Sequence, residues 1–319
     1  MTGQFMKRTL NLFLLLILSS CAKIEITTTP VVINTKVIPI STLLPSDSPP
    51  TITPTTQIPC DLFSADFCIT DGHFILQRPI HPPANDLVDP TYRYASTANG
   101  TREPHHGVEF PNESGTPVYA AADGIILFAG PDTKAVYSPW ENFYGNLVVI
   151  KHDDDLFTLY AHLSKIDVEV NQIVFAGDKI GEVGRTGVAI GSHLHFEVRH
   201  GNVENYFATQ NPELWLIPAK DNHHNSFGTL MVSVVDQDRN LVSYAEFTLR
   251  DYPDPSKKAV KSYYGITYPS DMLNGNENAA LGELPAGYYR IAVERNSKVY
   301  ERWVEVESRK LTQVGFVVK

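Results

Sequence analysis

The sequence predicts a mainly β chain, an antiparallel β-sheet domain followed by a small β-sandwich. Three observations carry this expectation. From Gly115 onward the apolar runs are short and punctuated by glycine; beyond Asp221 apolar and polar residues alternate with period 2; and no long stretch has the 3.6-residue period of an amphipathic helix. The last point excludes a helical bundle.

The N-terminus runs Met-Thr-Gly-Gln-Phe-Met-Lys-Arg, then largely apolar from Leu10 to Leu18, then Ser19, Ser20 and Cys21. A basic segment, an apolar segment and small residues make the pattern of an export signal, and the run falls short of the roughly 20 residues that span a bilayer. Leu18-Ser19-Ser20-Cys21 resembles the lipobox of bacterial lipoproteins. That resemblance implies cleavage before Cys21, lipidation of its sulfur, and an exported protein anchored by lipid to the cell envelope. With Cys21 so used, Cys60 and Cys68 remain, and an oxidising compartment favours a disulfide between them. The net charge of −10 and the lack of any basic run in the mature chain exclude nucleic acid as a partner.

Residues 1–20 are therefore read as the signal peptide and 21–59 as an extended linker, because Thr27-Thr28-Thr29-Pro30 and Pro45-Ser46-Asp47-Ser48-Pro49-Pro50 combine frequent proline with few large apolar groups. Residues 60–222 form the first globular domain with an N-terminal extension. Its strands are expected at Val118 to Ala122, Ile125 to Ala129, Leu147 to Lys151, Phe157 to Leu163 and His193 to Arg199, with turns at Asp123-Gly124, Tyr144-Gly145 and Ala176-Gly177-Asp178. The glycines from Gly177 to Gly187 lack the Gly-Lys-Ser/Thr ending of a phosphate loop and read as turn glycines.

A polar stretch, Asp221-Asn222-His223-His224-Asn225, leads into residues 223–319. There Leu230, Val232 and Val234 share one strand face. Tyr289, Ile291 and Val293 alternate with Arg290, Ala292 and Glu294, and Val304, Val306, Phe316 and Val318 continue the period. The turn from Leu284 to Tyr289 resembles those of carboxypeptidase-regulatory or transthyretin-like sandwiches. Tyr263 and Tyr264 are read as core or rim residues, with carbohydrate or protein binding as the other possibility.

The chain has 11 histidines, and their grouping carries more than their number. Three groups stand out: His105-His106-Gly107-Val108-Glu109, Tyr160-Ala161-His162-Leu163 and His193-Leu194-His195. In a strand His193 and His195 project to one side while Leu194 and Phe196 enter the core. The helical zinc motif of two histidines four apart is absent, so a metal would have to gather ligands from separate strands.

His105-x-Gly107-Val108-Glu109, Gly115-Thr116-Pro117-Val118-Tyr119-Ala120, Tyr160-Ala161-His162-Leu163 and Gly191-Ser192-His193-Leu194-His195-Phe196-Glu197 resemble, in order and spacing, the successive motifs of the lysostaphin/LytM-type zinc metallopeptidases. The resemblance implies a cell-wall endopeptidase acting on peptidoglycan stem peptides or cross-bridges. It further implies that Zn2+ is held by His105, Glu109 and His195, with His162 and His193 as the catalytic histidines. Glu109 stands where the family pattern has Asp. A metal-free module that binds or activates another hydrolase is the alternative, disfavoured because a carboxylate is kept at the one altered position. His106 is read as a neighbour of the site or a surface residue rather than a ligand, and His73, His81, His152, His200, His223 and His224 as surface or structural residues.

Overall fold

The computed structural model describes residues 60–98, 100–273, 275 and 277–319. The signal peptide, Cys21 and the linker lie outside the described residues. The described residues belong to one compact unit.

The strands are β1 (Cys68–Thr70), β2 (Val108–Pro111), β3 (Pro117–Tyr119), β4 (Gly124–Pro131), β5 (Asn146–Lys151), β6 (Leu156–Ala161), β7 (Lys165–Ile166), β8 (Ile173–Val174) and β9 (Lys179–Glu182). They continue as β10 (His193–His200), β11 (Thr209–Gln210), β12 (Gly228–Val235), β13 (Glu246–Tyr252), β14 (Lys261–Ile266), β15 (Ala279–Leu284), β16 (Gly287–Arg295), β17 (Lys298–Val306) and β18 (Leu311–Val317). Helix is confined to short 3-10 turns at Pro212–Leu214 and Ser270–Met272 among the described residues. The chain is mainly β, as its patterning predicts.

The first sheet runs β11-β10-β6-β5-β4-β8, with β2 also paired to β10, and a smaller sheet runs β3-β9-β7. All of these pairings are antiparallel. The strand β10 is therefore flanked by β6 on one side and by β2 and β11 on the other. Leu194, Phe196 and Val198 on one face of β10 are fully buried and join Val108, Phe110, Val148, Ile150 and Tyr160 in the core. Removing side chains of this size from water contributes about 1.5–3 kcal/mol each.

Two further four-stranded sheets, β1-β18-β12-β15 and β14-β13-β16-β17, share that core through Leu230, Val232, Val234, Val314 and Phe316 from one and Phe247, Leu249, Ile291, Val293 and Val304 from the other. This is the packing of a sandwich. One element departs from the expected division of the chain. Cys68–Thr70, placed by sequence in the extension of the first domain, pairs antiparallel with β18 at the edge of the sandwich. A three-residue strand has no pattern long enough to name its partner, so long-range pairing decides its place. Cys60 and Cys68 are joined as a disulfide at the entry to this strand.

The two halves also meet through buried polar contacts. Arg78 donates to Glu283 of β15 at 2.5 Å, and Glu213 accepts from Arg93 and from the backbone N–H of Gly282. Tyr268 accepts from Asn211 at 2.9 Å and packs edge-on against Tyr94.

Candidate active site

β10 delivers two histidines to one face because the strand period is 2, and β2 delivers the carboxylate because Glu109 is the direct cross-strand partner of His195. On the other side of β10, His195 pairs with Ala161, the last residue of β6, and His162 follows it. His105 enters from the segment before β2. The close approach of that segment requires Gly107, where a Cβ would sit 2.4 Å from the Phe196 carbonyl oxygen.

Five sequence-predicted residues thus converge. His105 Nε2 lies 3.0 Å and His195 Nδ1 3.2 Å from Glu109 Oε1, and those two nitrogens are 3.2 Å apart. His193 Nε2 lies 2.9 Å from Glu109 Oε2, an oxygen that is buried and accepts no well-aligned hydrogen bond. The His162 ring is 4.9 Å from that of His193 and 5.7 Å from that of His195. Potential ligand atoms of His105, Glu109 and His195 all fall within 4.8 Å of one another.

The outer nitrogens explain what the inner ones can do. His105 Nδ1 faces only the carbonyls of Tyr92 and Arg93, at 3.1 and 3.3 Å, so it donates. His195 Nε2 donates to Glu197 at 3.0 Å. In neutral rings the inner nitrogens are then lone pairs aimed at each other and at a carboxylate. Such a donor set, two imidazoles and one carboxylate with each imidazole fixed by an outer acceptor, suits a divalent transition metal.

Without a metal the same geometry demands a proton. Burial opposes the charge on His195, but Glu109 and Glu197 outweigh it and raise its pKa to about 10. Burial likewise pushes Glu109 up, and the charge of His195 with the hydrogen bonds of the surrounding histidines holds it well below the usual carboxylate range. His162 behaves differently. Burial first, then the charge on His195, push it down to about 3, so it is neutral across the physiological range. Its Nδ1 donates to the Thr186 carbonyl at 2.9 Å, which leaves Nε2 as a free base.

That arrangement is held by strained and close-packed backbone. His162 has φ +61°, an uncommon conformation for a residue with a Cβ, and such outliers collect at functional sites. Gly145 and Gly187 approach so closely that a Cβ on either would sit 2.4 Å from the other's backbone nitrogen. Their contact sets the turn that carries the Thr186 carbonyl.

Residues to which the motifs assigned no role complete the site. Glu197 and Arg199, on the same face of β10 as His193 and His195, are fully buried. Arg199 donates to Glu197 at 2.8 and 2.7 Å and also to Tyr144 Oη and the carbonyls of Val203 and Tyr137, while Tyr144 donates to Glu197 at 2.6 Å. The signal was present in the alternation His193, His195, Glu197, Arg199, but alternation alone reads as a solvent-facing side. His106 lies outside the metal cluster, with Nδ1 3.2 Å from Thr209 Oγ1 and its ring on Tyr206. His152 is buried between the Asp123 carbonyl and Thr158, a structural role.

Parts of the chain are similar to known proteins. A Vibrio cholerae protein, peptidoglycan DD-endopeptidase ShyA, is 37% identical over 119 residues, covering 37% of this chain and 26% of its own length. An uncharacterized Escherichia coli lipoprotein, YgeR, is 37% identical over 105 residues, covering 33% of this chain and 37% of its own. The chain thus spans well under half the length of either relative. The catalytic domain of lysostaphin from Staphylococcus simulans is 28% identical with a TM-score of 0.31, covering 46% of this chain and 90% of that one. Residues 103–207 match Peptidase family M23, and all five clustered residues fall inside that span.

Proposed function

We propose that the chain is a zinc-dependent endopeptidase that hydrolyses peptide bonds in peptidoglycan stem peptides or cross-bridges. The observation that carries this reading is the convergence of His105, Glu109 and His195 beside a neutral, backbone-held His162. The match to family M23 and the activity for which ShyA is named support the substrate class.

His105, Glu109 and His195 would hold the zinc. When bound there it supplies Lewis acidity, polarising a carbonyl and making water nucleophilic near neutral pH. The protein's own groups do the rest. Glu197 keeps His195 in the tautomer that turns Nδ1 inward, and the Tyr92 and Arg93 carbonyls do the same for His105 Nε2. His162 and His193 share proton transfer and stabilisation of the developing charge, with a proton passing finally to the leaving amine.

Metal analysis beside a peptidoglycan-release assay tests this directly. His105→Ala, Glu109→Ala and His195→Ala should lose zinc and activity together. His162→Ala and His193→Ala should keep most of the zinc and lose about 10²–10⁴-fold in hydrolysis. Wild-type protein that binds no zinc, or cleaves no peptidoglycan offered, would reject the proposal.

We also propose anchoring to the cell envelope through lipid on Cys21, supported by the Leu18-Ser19-Ser20-Cys21 pattern and by a relative described as a lipoprotein. Cys21→Ala should abolish lipid labelling and release the protein from membranes. Unchanged labelling would sink the idea.

A further inference from the structure

A groove of about 1260 Å³ lies away from the histidines, between the 90–104 segment and the outer face of the sheet β14-β13-β16-β17. The 90–104 segment is shared with the active site, since the carbonyls of Tyr92 and Arg93 hold His105.

The charges on the sheet face are sorted in a way that solubility does not require. Arg250 stands directly across from Arg290, and Glu246 directly across from Glu294. Between these two rows lie Tyr264, Thr248 and Ala292, with Glu301 across from Ala292 on β17. All of these residues line the groove. Like charges directly opposite each other on neighbouring strands destabilise a sheet. A surface built only for solubility intersperses the two signs. Here a positive row and a negative row face one cavity from positions four residues apart, about 13 Å along the strand.

Local pairing does not remove the asymmetry. Arg290 donates to Glu301 at 2.6 Å, but Arg250, Glu246 and Glu294 have no charged partner among the described residues. In the middle row Tyr264 is 80% exposed, a large aromatic face standing in the groove. The opposite wall carries Arg93, whose guanidinium is taken by Glu213, and Arg102, which lies over the Tyr92 ring.

We propose that this groove binds an extended amphoteric peptide of about four residues, its carboxylate on Arg250 and Arg290, its ammonium on Glu246 and Glu294, and its body along Tyr264. A fully extended peptide of that length spans about 13 Å, matching the distance between the charged rows. Naming the occupant as a stem peptide released from peptidoglycan rests on the proposed function; its charge pattern and length rest on the groove alone.

The test is binding, read separately from hydrolysis. The full chain is titrated calorimetrically with peptide stems released from peptidoglycan, and with the same stems after N-acetylation and amidation of their carboxyl groups. Free stems should bind, and the blocked stems at least about 10-fold more weakly. Arg250→Gln, Arg250→Glu and Glu246→Lys, all at exposed strand positions, should each weaken binding of free stems by about 10-fold. In the same variants kcat on a small soluble cross-linked peptide should stay at the wild-type value. Blocked stems binding as tightly as free ones, or Arg250 variants binding like wild type, would overturn the proposal. So would equal binding of glycan strands stripped of peptide. If no protein hydrolyses any substrate but the free and blocked stems still differ, the endopeptidase reading fails and the peptide site stands.

Discussion

Two central strands, β10 and β16, have almost the same pattern and opposite fates. In His193-Leu194-His195-Phe196-Glu197-Val198-Arg199 and in Tyr288-Tyr289-Arg290-Ile291-Ala292-Val293-Glu294, every second residue is a fully buried apolar group. The alternate face of β16 looks into the groove, with Tyr288 41% exposed. The alternate face of β10 is covered by Tyr144, by the Tyr137 carbonyl and by the chain around Val203, so Glu197 and Arg199 are sealed from water. The difference teaches that a charged residue on a strand acquires its energetic weight from what lies over it.

The largest consequence falls on Glu197. Burial alone disfavours its charge, yet Arg199 and the hydrogen bond from His195 lower its pKa to about 2. Glu197→Leu leaves the Arg199 guanidinium buried without its partner and should cost about 3–5 kcal/mol, read by urea unfolding. A loss below about 1 kcal/mol would erase the contrast between the two strands.

An intermediate effect is expected at the junction of the two halves. We propose that the boundary near residue 222 separates two folding units, so a chain ending at Asp221 should fold and keep its metal. It should nonetheless melt at least about 6–8 °C lower, because the shared core is opened, Cys68–Thr70 loses β18, Arg78 loses Glu283, Glu213 loses the Gly282 N–H, and Asn211 and Tyr94 lose Tyr268. A truncated chain with no cooperative melting transition would show that the halves are one unit.

The smallest effect belongs to β16. Arg290 and Glu301 form a pair that is 34% and 42% exposed, where water screens the charges. Arg290→Ala should therefore shift stability by no more than about 0.5 kcal/mol, in the same unfolding assay. A loss approaching that of Glu197→Leu would mean that the face of β16 is covered.

Much of the site was legible because residue type and local spacing carry it. Two histidines two apart on a strand must share a face, and the ordered motifs around His105, Glu109, His162 and His195 resemble those of a metallopeptidase family. The mainly β character and the sandwich strands followed from period and turn residues in the same way. The tertiary structure decided what depends on distant partners. It paired Cys68–Thr70 with the last strand, set Glu213 between Arg93 and Gly282, and closed Tyr144 over Glu197 and Arg199. A period of 2 says which side chains point the same way, but only the packing of remote segments determines whether that side meets water, a groove or a sealed network of charge.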